Sequence, residues 1–214
     1  MLVLGIETAT AQASVALGGP DGVISSFHLI NKGRHAESLT PAIEFVCRQA
    51  GKAIADITAI AVDNGPGLFT GLRVGLATAK SIAYARGIPA FPVSSLEILA
   101  HGARLTDRKI VAVIDALSDE VYYATYFRGK ELIAPALGRP EDVAAQLQDD
   151  VLLVGDGATR YADLFSGSRV EIAARSFQYP SAVSLVELAI AKGFTNVPDV
   201  QIAYLRKPYV HTND

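Results

Sequence analysis

The chain has 214 residues, enough for one large domain or two small ones and for a core that needs no disulfide or metal staple. Acidic residues outnumber basic ones 22 to 19, and the net charge of −3 argues against a dedicated binder of nucleic acid or anionic membrane. The only cysteine, Cys47, excludes an intrachain disulfide and points to a reducing, cytoplasmic setting.

The first apolar run, Leu2–Ile6, has no basic lead-in and stops at Glu7, so a strand is expected there and not a signal peptide. Thr8–Gln12 is a turn. Ala13–Leu17 is a second strand, ending in the hairpin signal Gly18-Gly19-Pro20-Asp21-Gly22, and Val23–Ile30 is a third. Helical spacing of Leu39, Ile43, Val46 and Ala50 predicts a helix over Glu37 to Ala50, stopped by Gly51. Ile57–Asp63 is a buried strand that runs into Asn64-Gly65-Pro66-Gly67. A long alanine- and glycine-rich helix follows from about Thr70 to Arg86.

Further on, Lys109–Asp115 and Glu120–Phe127 are strands, and Arg128-Gly129-Lys130 turns the chain. Glu141–Gln148 is a short helix, Val151–Val154 a strand leading to Gly155-Asp156-Gly157, and Val183–Lys192 a helix. An extended tail follows from Val197. Half of the residues are hydrophobic and the mean hydropathy is +0.28, yet no apolar run nears the roughly 18 residues of a membrane span. The surplus points to surface buried on a partner protein.

The two halves repeat a pattern. Val3-Leu4-Gly5-Ile6-Glu7-Thr8 and Val111-Ala112-Val113-Ile114-Asp115-Ala116 are apolar strands ending in a carboxylate, each followed by a turn and a second strand. Ile60–Val62 with its glycine turn is echoed by Leu152–Val154 with Gly155 and Gly157. A repeat this long is a duplicated domain, not a solenoid. Strand–turn–strand with an acidic strand end in each half resembles the α/β actin-like ATPase (ribonuclease H-like) fold, two similar lobes expected at 1–104 and 105–214. In that fold Glu7 and Asp115 would face each other across a cleft; simple termination of strands in solvent is the other reading.

Asn64 to Arg73 joins a strand to a helix through a rigid glycine–proline turn. Free N–H groups at such a helix start can hold an anion, with Gly65, Gly67 and Thr70 forming the turn. It lacks the lysine of a phosphate loop, and a purely structural turn capped by Thr70 fits the residues equally well. His35-Ala36-Glu37-Ser38-Leu39 is half of a helical metal site with leucine where the second histidine would stand, so no metal is expected. Cys47 reads as a packed thiol, no serine elbow is present, and the tyrosines at 122, 123 and 126 read as strand residues. Gly71, Gly75, Ala79 and Ala83 make a small-residue ridge that either packs on the protein's own sheet or admits a partner helix. Phe45 lies about 140° from the apolar stripe of its helix, as an idle ring or an interface anchor.

Ile6-Glu7-Thr8-Ala9-Thr10, the Gly65-Pro66-Gly67-Leu68-Phe69-Thr70-Gly71-Leu72-Arg73-Val74-Gly75 block, Asp115-Ala116 with Glu120-Val121-Tyr122, and Tyr204-Leu205-Arg206 occur in that order. Together they resemble the TsaB (YeaZ) family of bacterial tRNA threonylcarbamoyladenosine biosynthesis proteins over nearly the whole chain. The resemblance implies a part in placing threonylcarbamoyl on the adenosine beside the tRNA anticodon. TsaC supplies threonylcarbamoyl-adenylate and TsaD transfers the group at an iron- or zinc-type site. The family in question is implied to be TsaD's non-catalytic heterodimer partner, with TsaE as an ATPase that joins them. Where TsaD-type proteins carry paired histidines, this chain has His35 and then Leu39, and Glu7 stands where the family usually has aspartate. No cofactor is therefore expected, and the cleft pair would be vestigial. A homodimer through the same helices is expected when TsaD is missing, and tRNA contact only within the complex, with Arg206 contributing. The alternative is an autonomous phosphotransferase or metal-dependent peptidase of the same fold, which the missing lysine and histidine disfavour.

Overall fold

A computed structural model describes residues 1–30, 34–147, 150–167, 169–193, 200–203 and 205. The expectations placed on Tyr204 and Arg206 lie outside the described residues. Three antiparallel strands open the chain: β1 (Val3–Glu7), β2 (Gln12–Gly19) and β3 (Gly22–Ile30). Helix α1 (His35–Gln49), β4 (Ala59–Asp63), helix α2 (Phe69–Arg86) and β5 (Ala90–Val93) follow, and α3 (Ser95–Gly102) leads onward. A second set then begins with β6 (Lys109–Asp115), β7 (Val121–Phe127) and β8 (Lys130–Gly138). It continues through α4 (Pro140–Ala145), β9 (Val151–Val154), α5 (Asp156–Arg160) and β10 (Val170–Ile172), and α6 (Ala182–Lys192) comes last.

The strands form two sheets of five with one topology, β3-β2-β1-β4-β5 and β8-β7-β6-β9-β10. β1 pairs antiparallel with β2, Leu4 opposite Leu17, and parallel with β4, Leu4 opposite Ile60. β6 repeats this with β7 and β9, Val111 lying opposite Thr125 and Leu153. The duplicated unit read from the sequence is thus present in both sheets, the weak echo at Leu152–Val154 included.

Side chains alternate between the faces of a strand, and β1 uses both. Leu4 and Ile6 pack under α1 with Leu39, Ile43, Val46 and Ile60. Val3, on the other face, packs with Ala16, Ala182, Val186 and Ala189. A strand covered on both faces reads as an unbroken apolar run, which is why β1 and β6 stand out in the sequence. Two helices cross between the sheets. α3, on the first side of the expected 104/105 boundary, packs with Ile110, Ala112 and Tyr126 of the second sheet, and α6 packs on the first. The two helices touch each other, Gly102 facing Ser184. Among the described residues no helix is long and apolar enough to cross a membrane.

Several elements are illegible in the sequence. β5 and β8 are edge strands containing Pro92 and Pro135, a residue that edges tolerate and that normally argues against a strand. β8 is mostly exposed on both faces, so it shows no apolar alternation. α3, α5 and β10 are too short for a period to emerge.

Candidate functional site

The carboxyl ends of β1 and β4, neighbours in the first sheet, both carry buried carboxylates. Glu7 is 0% exposed; its Oε1 accepts from the Ala9 N–H at 2.8 Å and its Oε2 from the Ser14 hydroxyl at 3.0 Å. Ser14 in turn accepts from the Ala182 N–H at 2.9 Å, linking Glu7 to the start of α6. Asp63 Oδ1 accepts from the Gly65 N–H at 2.8 Å and from the Ser95 hydroxyl at 2.5 Å, linking it to the start of α3. Asp63 Oδ2 is buried with no partner. Burial pushes the Asp63 carboxyl up to about 7, with the two hydrogen bonds opposing it. Burial holds Glu7 well above the usual carboxylate range, and the charges of Asp63 and Asp156 add to the effect.

The second sheet places Asp115 at the matching position. Its Oδ2 pairs with Arg160 Nη1 at 2.8 Å, and its Oδ1 accepts from the Leu117 N–H at 3.1 Å. Asp156, which begins α5, accepts from the Asp115 N–H at 3.0 Å, and burial pushes its carboxyl up to about 6. Glu7 and Asp115 therefore do not meet as a solvent-facing pair. Glu7 is enclosed by the donors of its own lobe, Ala9 and Ser14, and Asp115 is held by Arg160 at the rim. Asp63 and Asp156 were not singled out from sequence. The available signal was positional: each lies at the carboxyl end of the parallel neighbour of an acid-ended strand, β4 for β1 and β9 for β6.

The turn between β1 and β2 is closed off by its own chain. Thr8, Ala9 and Thr10 are at most 1% exposed. The Thr8 hydroxyl donates to the Gly71 carbonyl at 2.8 Å, Leu68 N–H donates to the Ala9 carbonyl at 2.7 Å, and His35 Nε2 donates to the Thr10 carbonyl at 2.9 Å. His35 is thus a buried clamp on that turn, with Leu39 one turn along in the core. The turn of Gly65, Gly67 and Thr70, expected to hold an anion, is engaged in part by the chain itself. The Gly65 and Leu68 N–H groups are occupied, Gly67 lies against Ala9, and Thr70 is exposed without capping the helix.

The small-residue ridge on α2 also needs correction as a docking surface. Gly71, Gly75 and Ala79 are buried against the protein's own first sheet, and Ala83 is partly buried on the same core. A Cβ on Gly71 would drive into the Thr8 carbonyl, and one on Gly75 into the Thr8 hydroxyl. Small residues admit close approach, and here the approaching group is the β1–β2 turn. The open face of the α1–α2 pair lies elsewhere, in a groove of about 390 Å³ lined by Thr40, Glu44, Ile54, Ala77, Ser81 and Ile82. Phe45 is 37% exposed; its ring stands edge-on to Phe27 with centroids 5.8 Å apart, toward β3. Cys47 is buried and free. Among the described residues no three His, Cys, Asp or Glu side chains are grouped so as to hold a metal ion.

Comparison with known proteins adds three likenesses and a family match. The family described as TsaD, tRNA N6-adenosine threonylcarbamoyltransferase, matches residues 29–204. The tRNA threonylcarbamoyladenosine biosynthesis protein TsaB of Escherichia coli is 30% identical over 223 residues, covering 100% of this chain and 96% of that protein. An uncharacterized protein of Mycobacterium leprae is 35% identical over 211 residues, covering 97% of this chain but 55% of that protein, so the chain spans about half of this relative's length. The solved structure of YeaZ from Pseudomonas aeruginosa superposes with a TM-score of 0.81 at 30% identity, covering 95% of this chain and 99% of that one. With more distant solved structures sharing the architecture, the two sheets and their crossing helices are the actin-like ATPase fold.

Proposed function

The chain belongs to the TsaB family of tRNA threonylcarbamoyladenosine biosynthesis proteins, and on that premise we propose that it is the non-catalytic partner and activator of the threonylcarbamoyl transferase TsaD. The observation that carries this reading is the closure of the β1–β2 turn. Thr8, Ala9 and Thr10 lie buried beneath α1 and α2, and both oxygens of Glu7 are held by the chain's own donors. A turn and a carboxylate so enclosed have no free group to offer a substrate, so this lobe shapes a surface and does no chemistry.

The surface offered is the open face of the α1–α2 pair. Its groove is lined by small and apolar side chains, Ala77, Ser81, Ile54 and Ile82, into which a helix of a related partner fits. TsaD takes that face, and a second copy of this chain takes it when TsaD is lacking. TsaE joins the pair. With a net charge of −3 the lone chain releases few counterions from tRNA, so tRNA is bound by the assembly. Co-purification tests the partnership: tagged TsaD should retain this chain, and Ala77→Arg with Ser81→Arg should release it while leaving the thermal unfolding of the lone protein unchanged. Retention of the doubly substituted chain would move the docking face elsewhere.

A further inference from the structure

Apart from the carboxylates and the α1–α2 groove, a cavity of about 300 Å³ lies between α3, α6 and the turn joining β7 to β8. Ile110, at the opposite end of β6 from Asp115, forms its apolar wall with Tyr126 and Leu188. Leu105, which also lines it, is 94% exposed, an apolar side chain that an occupant would cover. The charged groups at the cavity are unequally engaged. Glu97 is held through both oxygens by Lys192, at 2.6 and 2.7 Å, and the neighbouring Glu187 takes His101 Nε2 at 3.1 Å and Arg104 Nη2 at 3.0 Å. The two guanidiniums that line the cavity keep donors to spare. Arg104 adds one bond to the His101 carbonyl at 3.0 Å, and Arg128 has one contact of 3.3 Å to Asp107, whose side chain is 96% exposed. An ion pair so exposed holds neither partner firmly.

Arg128 also occupies an unfavourable backbone position. With Gly129 it forms a two-residue loop between the paired residues Phe127 and Lys130, and both have positive φ, 48° and 74°. That left-handed geometry favours Asn, Asp or Gly, so an arginine at its first position is a costly choice. What the choice gains is a guanidinium at the cavity. We propose that this cavity binds a small organic carboxylate, its branched aliphatic or single-ring body against Ile110, Tyr126 and Leu188 and its carboxylate on Arg104 and Arg128. The spare donors call for an acceptor, and a planar carboxylate accepts two parallel bonds from a guanidinium fork. An ammonium ligand would instead meet two like charges and carboxylates already engaged by the chain. The apolar body covers Leu105 and keeps water from the polar contacts, the usual division of labour in a small-molecule site. The site is independent of the partnership with TsaD.

Methyl NMR on the full chain tests it, with isovalerate and phenylacetate as probes. At least one of them should shift the methyl signals of Leu105, Ile110 and Leu188 with a Kd of about 1 mM or tighter. Acetate, which lacks the body, and the matching amides, isovaleramide and phenylacetamide, which lack the charge, should bind about tenfold or more weakly. Arg128→Asn gives the turn a residue it favours, so the variant should fold and weaken the acid about tenfold. Arg104→Gln should do the same. Failure of both acids to shift these methyls at many times that concentration would overturn the site. So would equal binding of acid and amide, or undiminished binding of the acid by both folded variants.

Discussion

Ser95 Oγ lies 2.5 Å from Asp63 Oδ1, so the first residue of α3 is fastened to the last residue of β4. With the Ser95 N–H bond to the Gly65 carbonyl, this contact ties a helix that packs on the second sheet to the carboxyl end of an interior strand of the first. Ser95→Ala removes the donor and leaves Asp63 with one hydrogen bond inside the core. The loss should be about 1–3 kcal/mol, or roughly 2–4 °C of melting temperature per kcal/mol for a chain of this size. Thermal unfolding at neutral pH checks it.

Stability should fall as pH rises from about 4 to about 7. Asp63 titrates in the folded state at about 7 and Asp156 at about 6, both above their ordinary value of 3.8, and Glu7 is raised as well. Between the unfolded and folded values the native state binds more protons than the unfolded chain, so the slope of unfolding free energy with pH is negative. The stabilisation is fully present below the unfolded value and is lost as pH passes through the folded one. Denaturant titrations at stepped pH measure it, and Asp63→Asn should flatten the profile and raise stability at the upper end.

Gly71→Val and Gly75→Arg should compromise the fold itself. At Gly71 a Cβ collides with the Thr8 carbonyl, so relief requires moving the β1–β2 turn off α2; at Gly75 it collides with the Thr8 hydroxyl, so relief breaks that hydroxyl's bond to the Gly71 carbonyl. Overpacking of this kind costs at least about 1–3 kcal/mol. Loss of soluble protein, or a large drop in melting temperature, is the expected readout, and unchanged melting would mean that α2 can shift without cost.

Much of this was legible in the residues. β1 and β6 announce themselves because both faces of each are covered, and their terminal carboxylates follow directly. The start of α2 and the stripe Leu39, Ile43 and Val46 are equally plain. The partners of those carboxylates were not, because Asp63 and Asp156 acquire meaning only through sheet order, and a sequence does not state which strand lies next to β1. The ridge on α2 failed for a related reason. Gly71, Gly75 and Ala79 do mark a close approach, but spacing cannot tell whether the approaching group is another chain or the turn of Thr8 to Thr10.

Phe45→Asp separates stability from docking. The ring is 37% exposed and touches Phe27 edge-on, a contact worth about 0.5–1.5 kcal/mol. The variant should fold with a melting temperature lowered by a few degrees and should still be retained by TsaD, since the open groove is lined by Thr40 and Glu44 and not by Phe45. Pull-down beside thermal unfolding resolves the two effects; a fully folded variant that TsaD no longer retains would place the docking surface on the β3 side of α1.

The most direct measurement is threonylcarbamoyl transfer to tRNA by purified TsaD, with the activated donor supplied, in the presence and absence of this chain. TsaD alone should give little or no modified adenosine, this chain alone none, and the two together sustained modification. Modification by this chain without TsaD, or equal modification by TsaD whether or not the chain is added, would contradict the assignment as a non-catalytic activator.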